Sequence, residues 1–74
     1  MAATKTFSGV RLREMRKRAG MSAMHLAWAC RRSQQTVYLW EQGKMRPRPE
    51  ILDAIAQALN CARDDLFSED GNRA

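Results

Sequence analysis

At 74 residues, the chain is long enough for one small domain built on a single core. Its apolar content of 45% is typical of a globular protein, and no apolar run approaches the ~18 residues of a membrane span, so we expect neither a membrane segment nor a secretory signal. Residues 1–48 carry 11 basic and 2 acidic residues, whereas residues 49–74 carry 2 basic and 6 acidic residues. This division favours a polyanionic partner over the alternative of a solvated basic helix with no partner.

Few side chains are suited to catalysis or metal binding. His25 is the single histidine, and Cys30 and Cys61 are too far apart in sequence to form a CxxC motif. We therefore expect no metal and no other cofactor, and two cysteines that act as small apolar residues in a reducing cytoplasm. The sequence also shows no pattern of a nucleophile with its base, so we expect a protein that is not an enzyme.

The first part of the chain predicts a short arm followed by a helix. Residues 1–7 are predicted to form a flexible arm, residues 8–67 one helical domain, and residues 68–74 a frayed tail. Ser8 is a good N-cap for a helix running to about Ala19, which Gly20 would end. Leu12, Met15 and Ala19 share the apolar face of that helix.

Two further helices are joined by a tight turn. Ser22 and Ser33 are both suited to capping a helix and lie eleven positions apart, which leaves room for about two helical turns and a short connection. This spacing is typical of a helix-turn-helix. The second helix of the pair is predicted over residues 34–42, with Gly43 as its left-handed terminator. The positions expected to face the core are Leu26, Cys30, Val37 and Trp40.

The remaining chain predicts two more helices. Residues 43–48 form a loop, and Pro49 suits the first position of a fourth helix that runs to about Leu59, with Asn60 at its end. Residues 63–67 suit a short fifth helix closed onto the core by Leu66 and Phe67. We see no alternating pattern that predicts a strand. The apolar stripe expected on the fourth helix is Leu52, Ile55, Ala56 and Leu59.

An ordered set of short motifs carries a family resemblance. Its strongest parts are Leu12-Arg13-Glu14-Met15-Arg16, Gly20-Met21-Ser22, Leu26-Ala27, Ser33-Gln34-Gln35-Thr36-Val37, Trp40-Glu41-Gln42-Gly43-Lys44 and Pro47. Together they resemble the phage-repressor and Cro type, or XRE-like, helix-turn-helix DNA-binding domain. The resemblance implies an all-α, five-helix lambda-repressor-like fold in which helix 34–42 reads the major groove of DNA. It also implies a structural ion pair between Arg16 and Glu41.

The resemblance implies two sets of DNA contacts. Gln34 and Gln35 would face base edges, where a glutamine amide can bind adenine through two hydrogen bonds. Tyr38 and Leu39 lie further along the same helix and are also expected to read bases, with Leu39 able to pack on a thymine methyl group. The side chains expected at the phosphate backbone are Arg32, Thr36, Gln42, Lys44, Arg46 and Arg48.

Two departures from the family pattern concern helix two and the turn. Arg31 replaces the usual turn glycine, and a non-glycine residue with positive φ costs about 1 kcal/mol. Trp28 stands where the family usually has a polar residue, on one helical face with Met24. Either this pair is a partner surface, or Trp28 folds back onto Phe7 or the first helix.

The predicted function is sequence-specific binding of double-stranded DNA by a transcriptional regulator, with repression favoured. Because one recognition helix spans few base pairs, we expect a homodimer on a palindromic operator. The alternative is a protein-binding adaptor or antitoxin that uses the same fold.

Overall fold

The structure, a computed structural model, describes residues 5–69. Four α-helices form most of this part of the chain. No helix within that part is long and apolar enough to cross a membrane. In chain order the elements are strand β1 (Thr6–Phe7), α1 (Gly9–Arg18), α2 (Ala23–Cys30), α3 (Gln34–Glu41), α4 (Pro49–Leu59), a 3₁₀ helix (Arg63–Leu66) and strand β2 (Phe67–Ser68).

Serine side chains begin the first three helices, as their positions predicted. The Oγ atoms of Ser8, Ser22 and Ser33 each accept a hydrogen bond of 3.1 Å from the backbone N–H three positions later. Each bond satisfies a donor that the first helical turn would otherwise leave without an intrahelical partner. Helix α4 has no side-chain cap and begins instead with Pro49, whose missing N–H costs nothing at that position.

All four α-helices of the described chain end in the same hydrogen-bond motif. A left-handed residue donates its N–H to the carbonyl three positions back, and the next residue donates to the carbonyl five positions back. The left-handed residues are Gly20 at φ 69°, Arg31 at φ 56°, Gly43 at φ 78° and Asn60 at φ 55°. Two helices therefore use glycine for this conformation, and two hold a residue with a Cβ in it.

The core lies where the four helices and the 3₁₀ helix meet. Helix α2 packs against α3 and α4, and α1 packs against α3 and the 3₁₀ helix. Ala27 is buried with its small side chain at the centre of α2, so neighbouring helices can approach closely. The apolar stripes predicted for α2, α3 and α4 are confirmed, and the largest fully buried apolar side chains are Leu12, Leu26, Val37, Trp40, Ile55 and Leu66.

A two-stranded antiparallel sheet joins the two ends of the described chain, which the sequence analysis did not predict. Thr6 pairs with Ser68 and Phe7 with Phe67. The two phenylalanine rings meet edge to face, with centroids 6.4 Å apart. Residues 6 and 7 are therefore not part of a flexible arm, and residue 68 is not frayed, because main-chain pairing and ring packing hold them. The rest of the predicted arm and tail, apart from Lys5 and Glu69, lies outside the described residues.

Two smaller expectations also need correction. The short fifth helix predicted over residues 63–67 is a 3₁₀ helix that covers only Arg63–Leu66, and Phe67 has already entered β2. Ala19 is exposed rather than buried, because it is the C-cap of α1 and the chain turns away at Gly20. The described chain is therefore mostly helical, as the resemblance implied, but it has four α-helices, one 3₁₀ helix and a small sheet instead of an all-α set of five helices.

The left-handed conformation of Arg31 predicts a stabilising substitution. Arg31→Gly should raise the free energy of unfolding by up to about 1 kcal/mol, because glycine removes the Cβ clash at φ 56° while adding some unfolded-state entropy. Asn60→Gly is the matched control, since Asn60 has almost the same φ and helix-end motif but asparagine tolerates this conformation better. Urea unfolding of both variants measures the gains. A loss of stability in Arg31→Gly would contradict the assignment of strain to Arg31.

Candidate nucleic-acid interface

The first turn of α3 presents two amide side chains to solvent. Gln34 and Gln35 follow directly after the capping Ser33, and both are exposed. The cap is itself held by a second contact, because the hydroxyl groups of Ser33 and Thr36 lie 2.9 Å apart. A rigid helix start therefore carries the two glutamines that the sequence predicted at base edges.

Tyr38 and Leu39 lie one turn further along α3 but differ in exposure. Tyr38 is 44% exposed and accepts a 3.2 Å hydrogen bond at its hydroxyl from Nε2 of Gln34. Leu39 is half-buried, and its carbonyl accepts the backbone N–H groups of Lys44 and Met45 at the end of the helix. The structure thus brings Tyr38 into contact with Gln34, whereas the side chain of Leu39 is only partly available.

Four of the residues predicted to contact the DNA backbone share one concave surface, which we call the arginine pocket. It has a volume of about 320 Å³ and lies between the start of α3 and the loop before α4. Buried Trp40 and Pro47 contribute to its lining, and none of the described residues that line it is acidic. The predicted residues in its lining are Arg32, Thr36, Arg46 and Arg48.

The other two residues predicted at the backbone lie apart from the arginine pocket. Lys44 is exposed in the same loop, and Gln42 lies at the end of α3 in a second pocket of about 360 Å³. That pocket is also lined by Tyr38 and by Arg13 of α1. Sequence reasoning did not select Arg13, although its position three residues before Arg16 places the two on neighbouring positions of one helix.

Arg16 and Glu41 form a nearly buried ion pair between α1 and α3. Nε of Arg16 lies 2.6 Å from one carboxylate oxygen and Nη2 lies 3.1 Å from the other, while Nη1 donates to the carbonyl of Met21 at 3.0 Å. The side chains are only 11% and 6% exposed. The hydrogen bond to Glu41 raises the pKa of Arg16, against the opposing effect of burial. Three nitrogens of the Arg16 guanidinium therefore bond within the domain.

The side chain of Trp28 is on the surface. It is 68% exposed, Met24 is 44% exposed, and the imidazole of His25 meets the indole edge to face at 5.9 Å. The alternative in which Trp28 packs onto Phe7 or α1 is wrong, because the hydrophobic core closes without it. An apolar face remains on α2, outside the helix that carries the glutamines.

Known proteins with the same arrangement include several gene regulators. A family model described as a helix-turn-helix domain matches residues 9–67. The P22 c2 repressor, solved in complex with a synthetic operator, is 30% identical with a TM-score of 0.75, over 82% of this chain and 92% of that one. The restriction-modification controller protein C.AhdI from Aeromonas hydrophila is 30% identical with a TM-score of 0.74, over 80% and 89% of the two chains.

The clp gene regulator ClgR from Corynebacterium glutamicum is 29% identical with a TM-score of 0.75. The match covers 78% of this chain but 62% of ClgR, so the chain spans less than two thirds of that regulator. A comparison with curated protein sequences found no match. Since the family model covers most of the chain, the protein belongs to the helix-turn-helix domain family, and its structural neighbours are of the phage-repressor and Cro type.

The buried ion pair predicts strong coupling between two substitutions. Arg16→Met or Glu41→Leu alone should lower the free energy of unfolding by about 3–5 kcal/mol, because each leaves an unpaired charge in a nearly buried position. The double variant should lose less than the sum of the two single variants, since it removes both charges.

Asp53→Asn is the control for the ion-pair experiment. Asp53 pairs with Arg63 at 3.3 Å, but both side chains are well exposed, so this loss should stay within about 1 kcal/mol. Denaturant unfolding of the four variants measures all of these differences. Strictly additive losses at Arg16 and Glu41 would show that the two charges do not depend on each other.

Proposed function

We propose that the protein is a transcriptional regulator that binds double-stranded DNA with α3 in the major groove. The observation that carries the proposal is the position of exposed Gln34 and Gln35 on the turn of α3 that lies next to the arginine pocket. Neutral amides suited to reading bases and cations suited to phosphates thus lie side by side. The likeness to a repressor solved with operator DNA supports the same assignment.

The two groups of side chains have different roles in this proposal. Amide side chains can match the donor and acceptor pattern of adenine, so Gln34 and Gln35 give sequence preference. Arginine and lysine bind phosphates of any sequence, so Arg46, Arg48 and Lys44 give affinity and set the register on the duplex. Arg32 and Thr36 join the second group because they line the arginine pocket, and Gln42 joins it at the other end of α3.

Homodimerisation on a palindromic operator is part of the proposal. One short recognition helix such as α3 can contact only a few base pairs, so two half-sites about one helical turn apart provide the required specificity. Repression follows if such an operator overlaps a promoter. The binding compartment would be the cytoplasm, where Cys30 and Cys61, both free thiols, remain reduced.

Selection of bound sequences from random duplex DNA tests the whole proposal. A palindromic enriched motif supports a dimeric regulator. No enrichment above the input would overturn sequence-specific binding and would favour the protein-binding adaptor instead.

The glutamines should affect specific binding alone. Gln34→Ala or Gln35→Ala should weaken binding to the selected site by about 1–3 kcal/mol, because a two-bond contact to a base is lost. Binding to random duplex DNA should be unchanged, since the phosphate contacts remain. Titrations with both duplexes at one salt concentration measure the difference. Equal weakening on the two duplexes would exclude a base-reading role.

The basic loop should show the opposite behaviour. Neutralising Lys44, Arg46 or Arg48 with glutamine should weaken binding to every duplex and reduce the slope of log affinity against log salt by about one unit each. Gln34→Ala and Gln35→Ala serve as the matched control, because they remove no charge and should leave that slope unchanged. A slope that stays constant in the loop variants would place the loop away from the DNA backbone.

The proposal assigns Met24 and Trp28 to contact with a second copy, because exposed aromatic and methionine side chains are enriched at protein interfaces. Trp28→Ala should change the free energy of unfolding by no more than about 0.5 kcal/mol, since the indole is 68% exposed. It should reduce cooperative binding to a duplex with two half-sites, whereas Val10→Ala, an exposed apolar change on α1, should not. Sedimentation and duplex titration measure both effects, and unchanged cooperativity would exclude this face.

A further inference from the structure

We propose that Tyr38 positions Gln34 so that Gln34 selects adenine over guanine. The inference rests on the proposed function, because it concerns the base that α3 would meet in the major groove. It assigns to Tyr38 an action through Gln34 rather than a base contact of its own.

The contact that carries the inference is the hydrogen bond within α3. Nε2 of Gln34 donates to the hydroxyl oxygen of Tyr38 at 3.2 Å, and the two residues lie four positions apart on an exposed helix face. A lone glutamine on such a face would sample many rotamers. The bond to Tyr38 restricts the amide and orients its two ends before any base arrives.

Tyr38 projects from an anchored stretch of α3. It lines the same pocket as Arg16 and Glu41, whose ion pair is nearly buried. Because Glu41 lies one turn further along α3, the ion pair anchors the backbone from which the tyrosine projects. A partner on an anchored backbone can restrict the amide, whereas one on a mobile backbone could not.

The donors and acceptors of the Gln34 amide determine which base it fits. A glutamine amide has two N–H donors on Nε2 and an acceptor at Oε1. Because one N–H of Gln34 is bonded to Tyr38, the amide offers a base one donor beside one acceptor. Adenine presents an acceptor at N7 beside a donor at N6, which matches that pair.

Guanine does not match the same pair. Its major-groove edge presents two acceptors, N7 and O6, so a glutamine needs both N–H groups to satisfy it. With one N–H held by Tyr38, Oε1 of Gln34 would face O6 without a proton between them. The hydroxyl of Tyr38 thus excludes guanine as well as favouring adenine.

Tyr38→Phe removes only the hydroxyl group and is the decisive variant. The contacted base pair is first located as the position in the selected motif where Gln34→Ala lowers the base preference. At that position the wild-type protein should prefer adenine to guanine by about 5- to 150-fold. Tyr38→Phe should reduce this ratio by about fivefold, the effect of one neutral hydrogen bond. The melting temperature should change little, since Tyr38 is 44% exposed.

Two backgrounds separate a positioning role from a direct contact. In the Gln34→Ala background, adding Tyr38→Phe should not change the adenine-to-guanine ratio any further. In the Gln35→Ala background, Tyr38→Phe should still reduce that ratio about fivefold. An effect that persists without Gln34 would overturn the inference in favour of a direct contact by Tyr38. An unchanged ratio in Tyr38→Phe alone would also overturn it, and so would a wild-type preference for guanine.

The same titrations distinguish the inference from the function on which it rests. If Gln34→Ala lowers the preference for adenine at one base pair and Tyr38→Phe does not, base reading by Gln34 is supported and the positioning role of Tyr38 is excluded. If Gln34→Ala weakens all duplexes equally, base reading by Gln34 falls and the inference falls with it.

Discussion

The ion pair between Arg16 and Glu41 is the contact on which the orientation of α3 depends. The two carboxylate oxygens and the carbonyl of Met21 occupy three nitrogens of one guanidinium group. This group connects the last turn of α1, the loop that follows it and the last turn of α3. A buried pair of this kind often adds little net stability over an apolar replacement, because both charges lose their hydration. Its contribution here is to link the end of α3 to α1 and, together with buried Val37 and Trp40, to set the rotation of α3 about its axis and thereby which side chains face outward.

That rotation separates two kinds of chemistry on one surface. The outward side of α3 carries uncharged amides and a phenol, whereas guanidinium groups line the arginine pocket between its start and the next loop. Because the cations lie beside the helix rather than on its exposed face, the proposed function assigns attraction to phosphates and discrimination among bases to different residues. One property can therefore change by substitution with little effect on the other.

The parts of the fold that follow from local chemistry were predictable from the sequence. The serine caps depend on neighbouring residues alone, so spacing and residue type identified them, whereas only the family's glycine at that position indicated the left-handed conformation of Arg31. The strands were not predictable, because two residues are too few to show alternation and their partners lie at the other end of the domain. For Trp28, periodicity placed the residue off the buried stripe but could not give the direction of the ring.

The candidate site divides in the same way. Sequence motifs predict the helix that carries Gln34 and Gln35, and they predict the loop with Arg46 and Arg48. That the helix and the loop meet at one pocket depends on the tertiary fold. Only the resemblance gave the partner of Arg16. The two charges lie on different helices, so no spacing rule connects them. The bond from Gln34 to Tyr38 was accessible to sequence reasoning, since the two residues are four positions apart on one helix.

The small sheet has a consequence for how the domain folds. The contacts among α1, α2, α3 and α4 join segments closer in sequence than β1 and β2, whose pairing, like the packing of α1 on the 3₁₀ helix, closes almost the whole described chain into a ring. Closing so large a ring early would cost more chain entropy than the pairing of two residues and the Phe7–Phe67 contact return. We therefore expect the strands to pair after the rate-limiting step. Weakening that pairing should leave the folding rate almost unchanged and shorten the lifetime of the folded state.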